Sequence, residues 1–260
     1  MPATLNFSAN ISFLFQELPF LERFRAAADA GFDAVEFHFP YAWDAAALAE
    51  VMLTSGTRVV LFNLPAGDWA AGERGIACLP DRVDEFRAGV SRALDYARAL
   101  DVPRLNCLAG IPPPGLARDT AMATLTDNLR HAAQVLGDAG IALLVEPLNS
   151  RDNPGFLIPT SRQMLALIDA VGAPNLKLQY DLYHAQVMEG DLAGTLATHL
   201  PRIGHIQFAD NPGRHQPGTG EIRFEFLFAE LRRLGYAHWV GAEYLPLGAT
   251  SDSFGWRNAL

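Results

Sequence analysis

The sequence predicts an α/β chain closed into a single (β/α)₈ barrel over residues 1–260. Three observations carry that prediction. Short apolar runs alternate with longer amphipathic stretches from end to end, the pattern of β-α units around a parallel sheet. The 260 residues, half of them hydrophobic, suit one barrel, which uses roughly 250. No Gly-x-Gly-x-x-Gly follows the first apolar run, which removes the main cue for a dinucleotide-binding sheet.

The eight expected strands cover 6–12, 34–37, 59–63, 104–108, 142–146, 176–180, 203–208 and 239–243. Between them the spacing predicts helices that include 20–30, 82–100, 120–139, 161–171 and 224–234. Val83, Phe86, Val90, Ala93, Leu94 and Ala97 recur at the i, i+3, i+4, i+7 interval of a core-facing helix. Gly31, Gly56, Gly140 and Gly235 fall just past helical stretches, where a left-handed cap is expected. Two connections are long, 64–81 and 209–224. Both follow strands, which places them on the catalytic face of a barrel.

Composition narrows the function classes. A net charge of −9 argues against nucleic acid, whose phosphates call for a basic face. No apolar run approaches the roughly 20 residues needed to cross a bilayer. The N-terminus lacks a basic segment followed by an apolar stretch, so no secretory signal is read there. With two cysteines, Cys78 and Cys107, and no CxxC pair, a cytoplasmic, reduced protein is expected. Whether copies of the chain associate into a homo-oligomer is left open.

Four polar residues close successive apolar runs: Glu146 in Ala-Leu-Leu-Val-Glu, Asp181 in Leu-Gln-Tyr-Asp, Gln207 in His-Ile-Gln and Glu243 in Val-Gly-Ala-Glu. Residues at the C-terminal ends of barrel strands converge on one mouth. Three carboxylates and an amide oxygen form an oxygen-only site that suits Mg²⁺, with Mn²⁺ as the alternative. One strand-end acid is ordinarily a helix cap or a solvated charge, and Asp181 could be a cap. A buried Gln207 could simply bond backbone. Four in consecutive units are harder to assign that way. Arg214 and Arg74, one on each long loop, could receive a substrate carboxylate bidentately, or be solvated. His184 could bond a substrate oxygen or bridge two loops. His38 and Asn106 divide between packing and ligand contact, and Trp43 and Trp69 between shielding the site and covering the rim. Pro217-Gly218-Thr219-Gly220 resembles a phosphate cradle but lacks the Lys-Ser/Thr and helix start of a P-loop, so a turn is expected.

Val-Glu-Pro-Leu-Asn (145–149), Gln-Tyr-Asp-Leu-Tyr-His (179–184), His-Ile-Gln-Phe-Ala-Asp-Asn-Pro (205–212), Pro-Gly-Thr-Gly-Glu-Ile (217–222) and Gly-Ala-Glu-Tyr (241–244) resemble the hydroxypyruvate isomerase family of xylose-isomerase-like barrels. Residues 63–78 and 7–12 are similar to its bacterial members. The resemblance implies a divalent metal on Glu146, Asp181, Gln207 and Glu243, with Glu146 and Glu243 as the proton donor and acceptor pair. Sugar epimerases of the wider superfamily carry His where this chain has Gln207. The activity implied is interconversion of 3-hydroxypyruvate and 2-hydroxy-3-oxopropanoate through an enediolate, acting on a small hydroxy-oxo acid. A 2-oxo-tetronate isomerase or ketose 3-epimerase would use the same chemistry on a longer substrate. A DNA-repair endonuclease or a catalytically silent sugar-acid binder are readings from other classes.

Overall fold

The computed structural model describes residues 4–259. Eight parallel strands close into one barrel: β1 (Asn6–Asn10), β2 (Ala34–Phe37), β3 (Arg58–Asn63), β4 (Arg104–Cys107), β5 (Ala142–Val145), β6 (Leu176–Asp181), β7 (Ile203–Phe208) and β8 (Trp239–Ala242). Each pairs with its sequence neighbours, and β8 returns to β1 in the register Phe7↔Val240. The helices are α1 (Arg23–Asp29), α2 (Ala45–Ser55), α3 (Val83–Ala99), α4 (Arg118–Gly137), α5 (Ser161–Val171), α6 (Leu182–Met188), α7 (Leu192–His199) and α8 (Phe224–Arg233). Among the described residues no helix is long and apolar enough to cross a membrane.

The expected strands agree to within two residues, and α5 agrees at both ends. Residues 20–30 divide into a 3₁₀ turn (Phe20–Glu22) and α1. Three helices lack a clear signal in the periodicity. In α2, Ala-Ala-Ala-Leu-Ala-Glu-Val-Met-Leu-Thr-Ser is apolar on most sides, so no single stripe stands out. Helices α6 and α7 span only seven and eight residues, about two turns each. The glycines expected as caps at 31, 56, 140 and 235 have φ between 73° and 79°.

The main apolar core lies between the strands and the helix ring. Helix α3 buries Phe86, Val90, Ala93, Leu94 and Ala97, and α4 buries Ala121, Leu125, Leu129 and Leu136. Each fully buried leucine contributes about 1.5–3 kcal/mol. Inside the barrel the residues are unusually polar, paired two apart along the strands: Ser8 and Asn10, Arg104 and Asn106, Gln179 and Asp181, His205 and Gln207. Burying them is tolerable only with hydrogen-bond partners. Those partners lead upward to the mouth.

Candidate active site

Glu146 and Glu243 each lie one residue beyond a strand, Asp181 ends β6, and Gln207 sits in β7, so all four reach the C-terminal mouth. All are buried. A cavity of about 210 Å³ opens there, and Glu146, Glu243, His184, Arg214, Arg74 and Trp69 are among its walls. Glu146 Oε2 accepts from Asn106 Nδ2 (3.1 Å) and Gln179 Nε2 (2.9 Å). Glu243 Oε1 accepts from His38 Nε2 (3.1 Å) and Arg214 Nη2 (2.9 Å). Asp181 divides its two oxygens. Oδ1 caps α6 through the Tyr183 N–H (2.8 Å), while Oδ2 faces His184 Nε2 at 3.7 Å. The residue is therefore both a cap and a member of the site.

His184 has a defined tautomer. Its Nδ1 lies 3.2 Å from the backbone N–H of Asn149 and 2.7 Å from Asn149 Nδ2. A backbone N–H can only donate, so Nδ1 accepts and the ring hydrogen of neutral His184 sits on Nε2. Burial, with Arg214 nearby, holds its pKa well below the usual histidine range, which keeps the ring neutral. Nε2 thus presents a donor between Asp181 and Glu146, at 3.7 Å and 4.0 Å. That suits a substrate oxygen.

Two candidates carry contacts that the sequence left open. Arg214, read as a receiver of substrate carboxylate or a solvated charge, spans Glu243 and Asp181 (3.5 Å to Oδ2), with its guanidinium over the rings of Phe13 and Tyr183. When all three are ionised, the carboxylates exceed the one guanidinium by two negative charges. Gln207, read as a ligand oxygen or as a buried amide bonding within the protein, has Oε1 accepting from Gln179 Nε2 (2.7 Å). Its Nε2 donates to Glu36 Oε1 (2.7 Å). An amide oxygen has a second lone pair, so it keeps accepting capacity on the Glu146 side.

Glu36 organises the floor below. It accepts from Ser8 (2.7 Å), His205 Nε2 (2.8 Å), Gln207 and Asn10 (3.3 Å). Burial opposes its charge, yet His205, Gln207 and Ser8 outweigh that and hold its carboxyl below the usual range. Gly241 leaves the room, since a Cβ there would lie 2.3 Å from Glu36 Oε1. Because a carboxylate only accepts, Glu36 dictates which way the Gln207 amide turns. In Glu36→Gln an NH₂ would confront donors, and the expected loss is about 3 kcal/mol or more of unfolding free energy. Urea denaturation checks this, and a loss below about 0.5 kcal/mol, the size of an ordinary surface change, would contradict it.

The carboxylates show the charge excess. Burial, then Glu243 and Asp181, raise Glu146 well above the carboxylate range. Burial pushes Asp181 up to about 7, with Arg214 opposing and Glu243 adding to the rise. Asn106 Oδ1 and Gln179 Oε1, both buried, have no hydrogen-bond partner. Among the described histidines, cysteines, aspartates and glutamates, one buried group could hold a divalent metal: Glu146, Asp181 and His184, with ligand atoms within 4.8 Å. Hard oxygens carrying surplus negative charge fit such an ion. The His184 tautomer makes that ring a donor rather than a ligand, and Glu243 stands outside the tight group because Arg214 and His38 hold it.

The first long loop forms a wall. Arg74 stacks on Trp69 at 4.0 Å and donates to the carbonyls of Trp69 and Glu73, so Arg74 and Trp69 both line the cavity. Trp43 instead stacks on Phe20 at 4.1 Å, outside it. His38 and Asn106 belong to the site through Glu243 and Glu146. Sequence reasoning did not single out Glu36, Asn63, Asn149, Asp152 or Gln179. Gln179 had a usable signal, since it lies two residues before Asp181 and therefore on the same strand face.

Residues 24–260 match the family described as xylose isomerase-like TIM barrel. The chain is 51% identical over 254 residues to the hydroxypyruvate isomerase of Escherichia coli strain K12, covering 98% of each. It is 45% identical over 250 residues to the 2-oxo-tetronate isomerase of Pectobacterium atrosepticum, covering 96% of this chain and 95% of that one. A crystal structure described as an AP endonuclease, family 2, from Brucella melitensis superposes with a TM-score of 0.95 at 46% identity, covering 99% of this chain and 98% of that chain.

Proposed function

The chain belongs to the xylose isomerase-like TIM barrel family, and from that premise we propose that it is a hydroxypyruvate isomerase. It would interconvert 3-hydroxypyruvate and 2-hydroxy-3-oxopropanoate. The observation that carries the reading is the pair Glu146 and Glu243 facing one cavity with contrasting surroundings. Burial among other carboxylates favours a proton on Glu146. Glu243 accepts from a guanidinium and an imidazole. Such a pair can act as acid and base on adjacent carbons.

In the forward direction Glu243 removes a proton from C3 of hydroxypyruvate, giving an enediolate, and Glu146 delivers a proton to C2. The hydroxyl proton on O3 is transferred to O2, and the proton gained by Glu243 is lost to solvent while Glu146 regains one, so the product is an isomer with no other reactant consumed. His184 Nε2–H donates to one of the two substrate oxygens. Arg74, over the Trp69 ring, would receive the substrate carboxylate. In its ionised state Glu146, with Asp181, would hold a divalent cation, Mg²⁺ before Mn²⁺ given the oxygen donors; Gln207 and Glu243, the other members of the implied set, would join it only by giving up their contacts to Gln179 and to Arg214 and His38. Such an ion supplies Lewis-acid stabilisation of negative charge on neighbouring oxygens. The two unpaired, buried cysteines accord with a reduced cytoplasmic setting.

The 45% identity to a 2-oxo-tetronate isomerase favours a second reading, a four-carbon substrate at the same site. Specificity constants for hydroxypyruvate, 2-oxo-tetronates and free ketoses decide between them. The expected order puts hydroxypyruvate first, and a higher value for a tetronate would reassign the enzyme. A nuclease reading draws on the description of the 46% identical structure, but a net charge of −9 opposes it. Salt-sensitive binding to duplex DNA would revive it.

A further inference from the structure

The Pro217-Gly218-Thr219-Gly220 segment does cradle an anion, and the anion belongs to the chain itself. Asp210, two residues past β7, is fully buried. Its Oδ1 accepts from the N–H groups of Asn211 (2.9 Å) and Ile222 (3.0 Å). Its Oδ2 accepts from those of Gly218 (2.9 Å), Thr219 (3.1 Å) and Gly220 (2.8 Å). Successive backbone donors converging on one carboxylate form an anion nest. Gly220 must lack a side chain there, since a Cβ would lie 2.2 Å from the Asn211 carbonyl oxygen and 2.7 Å from Asp210 Oδ1.

The backbone of Asp210 is committed as well. Its N–H donates to the His215 carbonyl (2.8 Å), and its carbonyl accepts from the Arg214 N–H (3.1 Å). Gly213 and Arg214 lie in the turn so closed, with φ of 97° and 58°. The left-handed region is unfavourable for a residue with a side chain, so Arg214 stays there only because its surroundings hold it. The Leu245 N–H donates to the Arg214 carbonyl (2.8 Å). From this tip the guanidinium reaches Glu243.

We propose that Asp210 is a positioning residue for the active site: its carboxylate fills the backbone nest of residues 218–222 and thereby holds Arg214 in the left-handed conformation that aims its guanidinium at Glu243 and Asp181. Charge matters as well as shape. Five N–H groups meet two oxygens, and an amide in either orientation would turn an NH₂ against at least two of them.

The test combines Asp210→Ala, Arg214→Ala and the double variant, with formate as a replacement for the missing carboxylate. Asp210→Ala is expected to lower kcat/KM for hydroxypyruvate about a hundredfold, as misplacement of a site group does. Formate, but not formamide or chloride, is expected to restore about tenfold of that and to raise the Tm of Asp210→Ala without raising that of the wild type. In the Arg214→Ala background the Asp210 change is expected to cost less than about threefold, because the two act as one unit. Additive losses, or no response of rate and Tm to formate, would overturn the proposal. Should Asp210→Ala not fold, Gly220→Ala spreads the same nest with Asp210 in place, and its loss must likewise vanish in the Arg214→Ala background. The assay rests on the isomerase reading, whereas the formate-dependent Tm does not. A wild type inactive on hydroxypyruvate therefore counts against that reading, and a missing Tm response counts against the nest.

Discussion

Glutamine in place of Glu146 or of Glu243 is expected to lower kcat on hydroxypyruvate at least about a hundredfold, the size of a lost general acid or base. Both variants should fold. In Glu146→Gln the amide oxygen can keep accepting from Asn106 Nδ2 and Gln179 Nε2, the two donors that now meet Oε2. In Glu243→Gln the oxygen can keep accepting from His38 and Arg214. Burial, then Glu243 and Asp181, already disfavour a charge on Glu146, so a neutral amide there should leave Tm unchanged or raise it at neutral pH. The expected result is therefore a split, with turnover lost and stability kept. Steady-state kinetics and a thermal melt on the same sample measure it. Near-normal kcat in both variants would end the proton-transfer assignment.

Chelation is expected to abolish turnover, with Mg²⁺ restoring it, and the metal-free protein is expected to lose stability as pH rises. Asp181 moves from an ordinary 3.8 up to about 7, and Glu146 is raised too. The folded state therefore binds these protons more tightly than the unfolded chain does. Their contribution is fully present below about pH 4, near the unfolded carboxylate pKa, and is lost as pH climbs through about 7. The Tm of the metal-free protein should fall across that window. A divalent ion competes with the same protons, so its binding should release protons and tighten between about pH 6 and about pH 8. Calorimetry in two buffers of different ionisation enthalpy reads the proton release. A metal-free Tm that rises from pH 5 to about 8 would contradict the charge excess assigned to this mouth.

The barrel was legible because each strand and most helices carry their own pattern. Val83 through Ala97 can be read as a helix without knowing what it packs on, since the 3.6-residue period is a property of the chain alone. Glu146 and Glu243 could be placed at the mouth for a similar reason. Each ends an apolar run, and the strand ends of a barrel share one face. Arg214 was visible as a candidate but not in its role. It comes from a long loop, and its target was set by the turn closed on Asp210, which local sequence does not reveal. The partners of the Gln207 amide, Gln179 and Glu36, lie 28 and 171 residues away in the chain, so local sequence left its role open.

Strand number, helix faces and the convergence of four polar residues on one rim follow from the amino-acid order, because periodicity and strand polarity are local. The tautomer of His184, the turn of the Gln207 amide, the elevated Asp181 and the ion pairing of Arg214 were decided only when the barrel closed. Each depends on a donor or a charge brought within about 4 Å from a distant strand or loop, where low dielectric makes such contacts strong. No local pattern encodes that proximity.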